Sequence, residues 1–244
     1  MNRGKMKAHK GISWCYLAPV ACFIACIGDL VALVVFDHIY PGYDSHIQPI
    51  SALGAAGSPI AGLVSCWWIG IGTVFLLFAI AYGKCNSEYE PVHRITAWLI
   101  GIYAVGEEIG SGLFPGNHVA GYLTPIGIVH NVIGGIGVVA LVAAPFMLMK
   151  KYTRTNNFLF NRFLLFISIF GILEFLLFSV SRLTWPQLHG LRMWHGWWQR
   201  IFVANYYVFL AGIAIKLLLE RKESLSGRSS HLPLQKEDHP GYHQ

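Results

Sequence analysis

The chain has 244 residues, of which 55% are hydrophobic and only 12% charged, with a net charge of +6. That is more apolar side chain than a soluble domain of this size can hide, so the composition excludes a water-soluble globular protein and points to a polytopic membrane protein. The positive charge is gathered at the ends of apolar segments, so it implies no nucleic-acid partner.

Six apolar runs have roughly the length needed to cross about 30 Å of hydrocarbon, at about 13–37, 58–83, 92–114, 121–149, 160–182 and 197–219. All six are predicted to be helices, because lipid offers backbone groups no partner and no alternating strand pattern occurs. The fold class is therefore all-α, a six-helix membrane bundle over 13–219. A basic tail precedes it at 1–12. A polar tail at 220–244 contains His231, His239 and His243, lacks apolar periodicity and is expected to be disordered. The first run is too long for a signal peptide, contains Asp29 and lacks a small-x-small cleavage site, so it reads as a span.

Fifteen of the 18 basic residues fall on one side of this arrangement: Arg3, Lys5, Lys7, Lys10, Lys84, Arg94, Lys150, Lys151, Arg154, Arg162, Lys216, Arg221, Lys222, Arg228 and Lys236. By the positive-inside rule both termini are expected in the cytoplasm, with the plasma membrane as the location. The segment His38–Pro59 then lies outside. Cys15, Cys22, Cys26 and Cys66 fall within spans and Cys85 on the inner side, so no outer disulfide framework is implied. The run LTWPQLHGLRMWHGWWQR, with Trp185, Trp194, Trp197 and Trp198, suits the headgroup region.

Ionisable residues inside spans cost roughly 2.5–3.5 kcal/mol each on insertion scales and default to function. Here they share a depth. Asp29, Glu107 and Glu108 with Ser111, His130 with Asn131, Glu174, and Gln199, Arg200 and Asn205 all fall in the outer half, contributed by every span except the second. The inner halves read as nearly pure hydrocarbon. Glycines on the third and fourth spans allow those helices to approach closely. One pocket is therefore expected, roofed by His38–Pro59, with Glu107, Glu108 and His130 as candidate catalytic groups and Asp44, His46, Ser51, His195, Gln199 and Arg200 as candidate ligand-binding groups. Gln48 is expected to face the same pocket, and some of the buried acids are expected to be protonated, bound to an arginine such as Arg200, or holding a metal. The metal and cofactor content is left unknown.

The stretches YPGYDSHIQPISALGAAGSP, GLFPGNH, GIVHNVIGG and GWWQRIF together resemble the multi-pass membrane family catalogued as domain of unknown function 998. The resemblance covers about 13–219 and implies a six-helix protein; the family offers no activity. Its matching positions are Pro41, Ile50, Ser51, Leu53, Gly54, Phe114, Pro115, His130, Gln199 and Arg200. Asn117 stands where the family motif often has an acid.

Three functional classes remain open on the sequence. One is an outer-leaflet protein that binds or processes lipid, with Arg200 and Gln199 on a phosphate or carbonyl oxygen and His130 with Glu107 or Glu108 as base or metal ligand. No span carries an H-x-x-x-H or H-E-x-x-H spacing that would strengthen the metal reading. The second is a carrier for a proton, a cation or a small solute, with the carboxylates as relay. The third is an accessory subunit with a structural polar network; a haem carrier ranks last, for want of paired histidines. The partners expected are the bilayer and a lipid or small-molecule ligand, with protein partners unknown.

Overall fold

The computed structural model describes residues 3–86, 91–119, 122–152 and 157–229. Helix α1 spans Arg3–Ile39, α2 Ala61–Asn86 and α3 Pro91–Tyr103; a π-helical segment, Ala104–Ile109, runs without a break into α4, Gly110–Leu113. After a two-residue antiparallel pair, β1 (His118–Val119) with β2 (Tyr122–Leu123), come α5 (Pro125–Tyr152), α6 (Phe158–Ser181), the short α7 (His189–Arg192) and α8 (His195–Ser229). Among the described residues, five helices are long and apolar enough to cross a membrane. The third expected span is helical from Pro91 to Leu113 but divided by its π segment. The fourth starts later than expected, at Pro125, because β2 takes up residues near its start. Helix α8 continues to Ser229, into the stretch expected to lack order; His231, His239 and His243 lie outside the described residues.

The helices form a ring: α1 packs on α2, α2 on α3, α3 on α5, α5 on α6, α6 on α8, and α8 back on α1. Inside it are Phe75, Phe78, Ile100, Leu141, Leu148, Leu164, Phe209 and Ile213, all close to fully buried. The outward faces are apolar as well, with Ile24, Val31, Trp98, Ile136, Phe166 and Leu173 exposed. A helix that is hydrophobic all round faces core on one side and lipid on the other. Where the third helical stretch crosses α5, a Cβ on Gly106 would sit 2.6 Å from the Ile133 carbonyl and 3.2 Å from Gly137. The two backbones touch there as small residues allow in membrane bundles.

Residues 40–60, the stretch 114–117 and the α6–α8 connection share one end of the ring. Ala56 N–H donates to the Gly116 carbonyl at 3.1 Å and Gly196 N–H to the His46 carbonyl at 2.9 Å. A side chain at Gly196 would collide with the carbonyls of Ser45 and Gln48, so only glycine lets the loop lie this close to α8. Lys84, Arg94, Lys151 and Lys216 belong to the opposite end, where Cys15 of α1 and Cys85 of α2 form a disulfide and Arg221 donates to the Cys85 carbonyl. That bridge was not anticipated from the sequence.

Candidate functional site

The π segment carries the two acids at the heart of the site. At 3.6 residues per turn, positions five apart lie on different sides of a helix; widening the turn by one residue stacks them. Tyr103 and Glu108 are such a pair, and the Tyr103 hydroxyl donates to Glu108 Oε1 at 2.5 Å. The same widening leaves Glu107 and Glu108 both on the wall of one cavity of about 80 Å³.

All six ring helices contribute to that cavity, α3 through Tyr103. Asp29 comes from α1, Trp68 from α2, Val138 and Leu141 from α5, Phe175 and Phe178 from α6, and Gln199, Tyr206 and Tyr207 from α8; Ser51 comes from the loop and Ser111 from α4. Asp29 Oδ1 accepts from the Trp67 indole at 2.6 Å and Oδ2 from the Tyr207 hydroxyl at 2.7 Å. That hydroxyl also lies 3.1 Å from Glu108 Oε1. Glu107 takes the space above Gly134, where a side chain would collide with its carboxylate, and no described residue donates to it. Ser111 Oγ and Tyr206 Oη are buried without a hydrogen-bond partner.

This wall has a simple inventory. It contains three carboxylates and no lysine, arginine or histidine. Tyr207 has one proton and two carboxyl neighbours, so it can donate to only one of them; the other contact is a hydrogen bond only if that carboxyl itself carries a proton. Two oxygens held at 2.7 and 3.1 Å from one hydroxyl are at most about 6 Å apart. With both acids ionised, the repulsion is on the order of 3 kcal/mol at an effective dielectric constant near 20. The chamber therefore needs a proton or a cation.

The other expected site residues are distributed differently. His130 Nδ1 lies 2.9 Å from the Phe114 carbonyl, which can only accept, so Nδ1 bears the hydrogen and the ring fastens the end of α4. His130 does not line the chamber, so the expected grouping of His130 with Glu107 and Glu108 is not formed. His195 stacks on Phe178 with centroids 4.8 Å apart and lies 2.6 Å from Ser181 Oγ, also outside the chamber. Asp44 and His46 are exposed: Asp44 Oδ1 caps the His46 N–H at 2.9 Å, and His46 Nδ1 accepts from the Trp197 indole at 3.0 Å. Gln48 Oε1 accepts from the Asp44 N–H at 2.8 Å. Of the loop's polar residues singled out in the sequence, only Ser51 lines the chamber. Asn131 is exposed, and Asn205 donates to the Ile167 carbonyl at 3.1 Å. Glu174 is buried, with neither carboxylate oxygen partnered, one turn along α6 from Gly171, against which the Tyr206 hydroxyl rests.

Arg200 corrects a specific expectation. Its guanidinium meets no chamber acid but Asp37, at 2.9 Å. The remaining donors go to the Tyr43 hydroxyl at 2.9 Å and to the carbonyls of Ser45 and Gln48 at 3.1 and 3.3 Å. Tyr43 passes its own proton to the Pro49 carbonyl at 2.9 Å, and burial pushes its phenol up to about 12 against the pull of Arg200. Gln199 Oε1 accepts from the Ile50 N–H at 2.7 Å. Arg200 and Gln199 thus hold the loop in place. Among the described residues no group of three His, Cys, Asp or Glu is arranged to hold a metal ion.

The sequence reading missed Trp67, Tyr103, Tyr206 and Tyr207, which surround the acids, and the signal available was Tyr103 one helical turn before Glu107. It also missed a polar cluster at the other end. Lys151 Nζ lies 2.6 Å from His93 Nε2; an ammonium can only donate, so Nδ1 carries the hydrogen and faces the Tyr82 hydroxyl at 2.8 Å. The inner half is not pure hydrocarbon. Between the two polar sites stand Phe75, against Tyr103 and Tyr207, and Phe78, against Tyr82.

The family model described as "Protein of unknown function (DUF998)" matches residues 20–216, and the chain belongs to that family. No curated protein and no solved structure gives a significant match.

Proposed function

Starting from an integral membrane protein of this family, we propose that the chain is a carrier for protons, and that Asp29, Glu107 and Glu108 form its relay. The observation that carries this reading is the chamber's composition: three acids, two unpartnered hydroxyl oxygens and no basic residue. At roughly 30 Å³ per water, a space of about 80 Å³ suits a few waters and not a lipid headgroup. Against a lipid-processing role, the terminal nitrogens of Arg200 and the side-chain oxygen of Gln199 are engaged by Asp37 and the loop.

In this reading the stretch Pro91–Leu113 is the sixth span, both termini face the cytoplasm and the chamber lies in the outer half of the plasma membrane. The site at His93, Tyr82 and Lys151 is the inner station, and Phe75 with Phe78 closes the path between them. The full chain in liposomes loaded with a pH-sensitive dye tests it. An imposed sodium or potassium gradient, or a proton gradient alone, is expected to move protons in the wild type and not in Glu108→Gln. Flux no greater than in empty liposomes under every gradient sinks the reading.

A further inference from the structure

The chamber does not account for every buried acid. Glu174 on α6 is not part of its wall, is only 2% exposed, and has no hydrogen-bond partner for either oxygen among the described residues. Across the seam between α6 and α8, the Tyr206 hydroxyl is likewise buried and unpartnered. Burial of one polar group without a hydrogen bond is costly, and two in one seam call for a use.

Both groups approach Gly171. A Cβ there would collide with the Tyr206 hydroxyl oxygen. Glu174 stands three residues further along α6, and helical side chains lean back toward the N-terminus, over the position three or four residues earlier. The bare face of Gly171 thus leaves room for a carboxyl and a phenol together, and the charge of Glu174 acts on that phenol. Tyr206 also forms part of the chamber wall, with Glu107 and Glu108. It therefore stands between the chamber acids and the fourth acid.

We propose that Glu174 is a second proton-binding site, outside the chamber, and that Tyr206 passes protons between it and the chamber acids. This step rests on the proton-carrier reading and extends its path. A carboxylate buried with no donor is far more costly than a carboxylic acid, so Glu174 holds a proton at rest. In the transfer the Glu174 O–H bond breaks and a new Tyr206 O–H bond forms, while the proton that Tyr206 held passes to an ionised chamber acid. Glu174 ends as the carboxylate, and one negative charge has moved from the chamber to α6. A hydroxyl can serve in this way because it donates one hydrogen bond while accepting another.

The test joins the liposome assay on the full chain to infrared spectra of the same proteins in detergent. Proton flux is expected to be lost in Glu174→Gln and in Tyr206→Phe, with the helical circular dichroism of both unchanged. Glu174→Asp keeps the acid and is expected to retain part of the flux. The wild-type spectrum is expected to hold a protonated-carboxyl band that disappears in Glu174→Gln and changes position in Tyr206→Phe. No flux in the wild type would remove the carrier reading and this step with it. With flux present in the wild type, unchanged flux in Glu174→Gln or Tyr206→Phe would remove this step alone. So would a Glu174→Asp protein no more active than Glu174→Gln, or a carboxyl spectrum that Glu174→Gln leaves unaltered.

Discussion

Asp29 on α1 and Glu108 on the π segment share one hydroxyl, that of Tyr207 on α8, at 2.7 and 3.1 Å. Three elements far apart in the chain are tied by a single proton donor, so removing that donor has defined consequences.

Tyr207→Phe leaves Asp29 Oδ2 without its donor and is expected to destabilise the protein by about 1–3 kcal/mol. Glu108→Gln in the same chain is expected to recover part of that loss, because the amide relieves the charge repulsion the phenol no longer mediates. Denaturant unfolding in detergent measures both; strictly additive losses would show that the two side chains are not coupled.

Arg200→Ala strands Asp37 and removes the donors from the Ser45 and Gln48 carbonyls. Breaking such a pair costs about 3–5 kcal/mol when fully buried, and the slight exposure here lowers that to about 2–4 kcal/mol. The loop 40–60 is expected to become cleavable by added protease while the transmembrane helices keep their circular dichroism. Asp37→Asn with Arg200→Gln is expected to restore part of the protection.

Tyr43 gives a pH dependence with a definite sign. Its phenol is raised from about 10 to about 12, so its contribution to loop stability is fully present below pH 10 and lost as pH rises through 12. Protease resistance of the loop is expected to persist to pH 10 and to fall as pH rises toward 12 in the wild type, whereas Tyr43→Phe starts from a lower resistance and lacks that fall. Identical alkaline profiles would remove Tyr43 from the clamp.

The Cys15–Cys85 bridge links α1 to α2 across 70 residues, and its reduction is expected to cost about 2–4 kcal/mol of unfolding free energy. In oxidised, unfolded protein a maleimide should find only Cys22, Cys26 and Cys66, with two more sites after reduction. In intact cells the same labelling tests orientation. A cytoplasmic face is kept reducing, so a pair found free there supports the placement expected from the basic residues.

Much of this architecture was legible because a membrane makes rare residues informative. The depth of Asp29, Glu107 and Glu108 followed from counting along apolar runs, and their convergence from the cost of leaving acids in lipid. What counting does not give is rotation about a helix axis. His130 was at the right depth but points to the Phe114 carbonyl, and Glu107 with Glu108 reach one chamber only through a π turn that no residue pattern announces. Of the three ways to satisfy the buried acids, pairing with Arg200 is not the one realised, because Asp37 at the end of α1 takes the guanidinium. The tyrosines went unnoticed because a tyrosine in an apolar run reads as core until an acid is seen beside it.

The contact between α1 and α8 has a consequence for biogenesis. The first and last spans to leave the ribosome close the ring together, and α8 brings Tyr207 to Asp29 and Arg200 to Asp37. Until α8 arrives, Asp29 has only the Trp67 indole as a donor, and Asp37 has no cation. A nascent chain stalled before residue 195 thus holds Asp37 without its cation and Asp29 with a single donor.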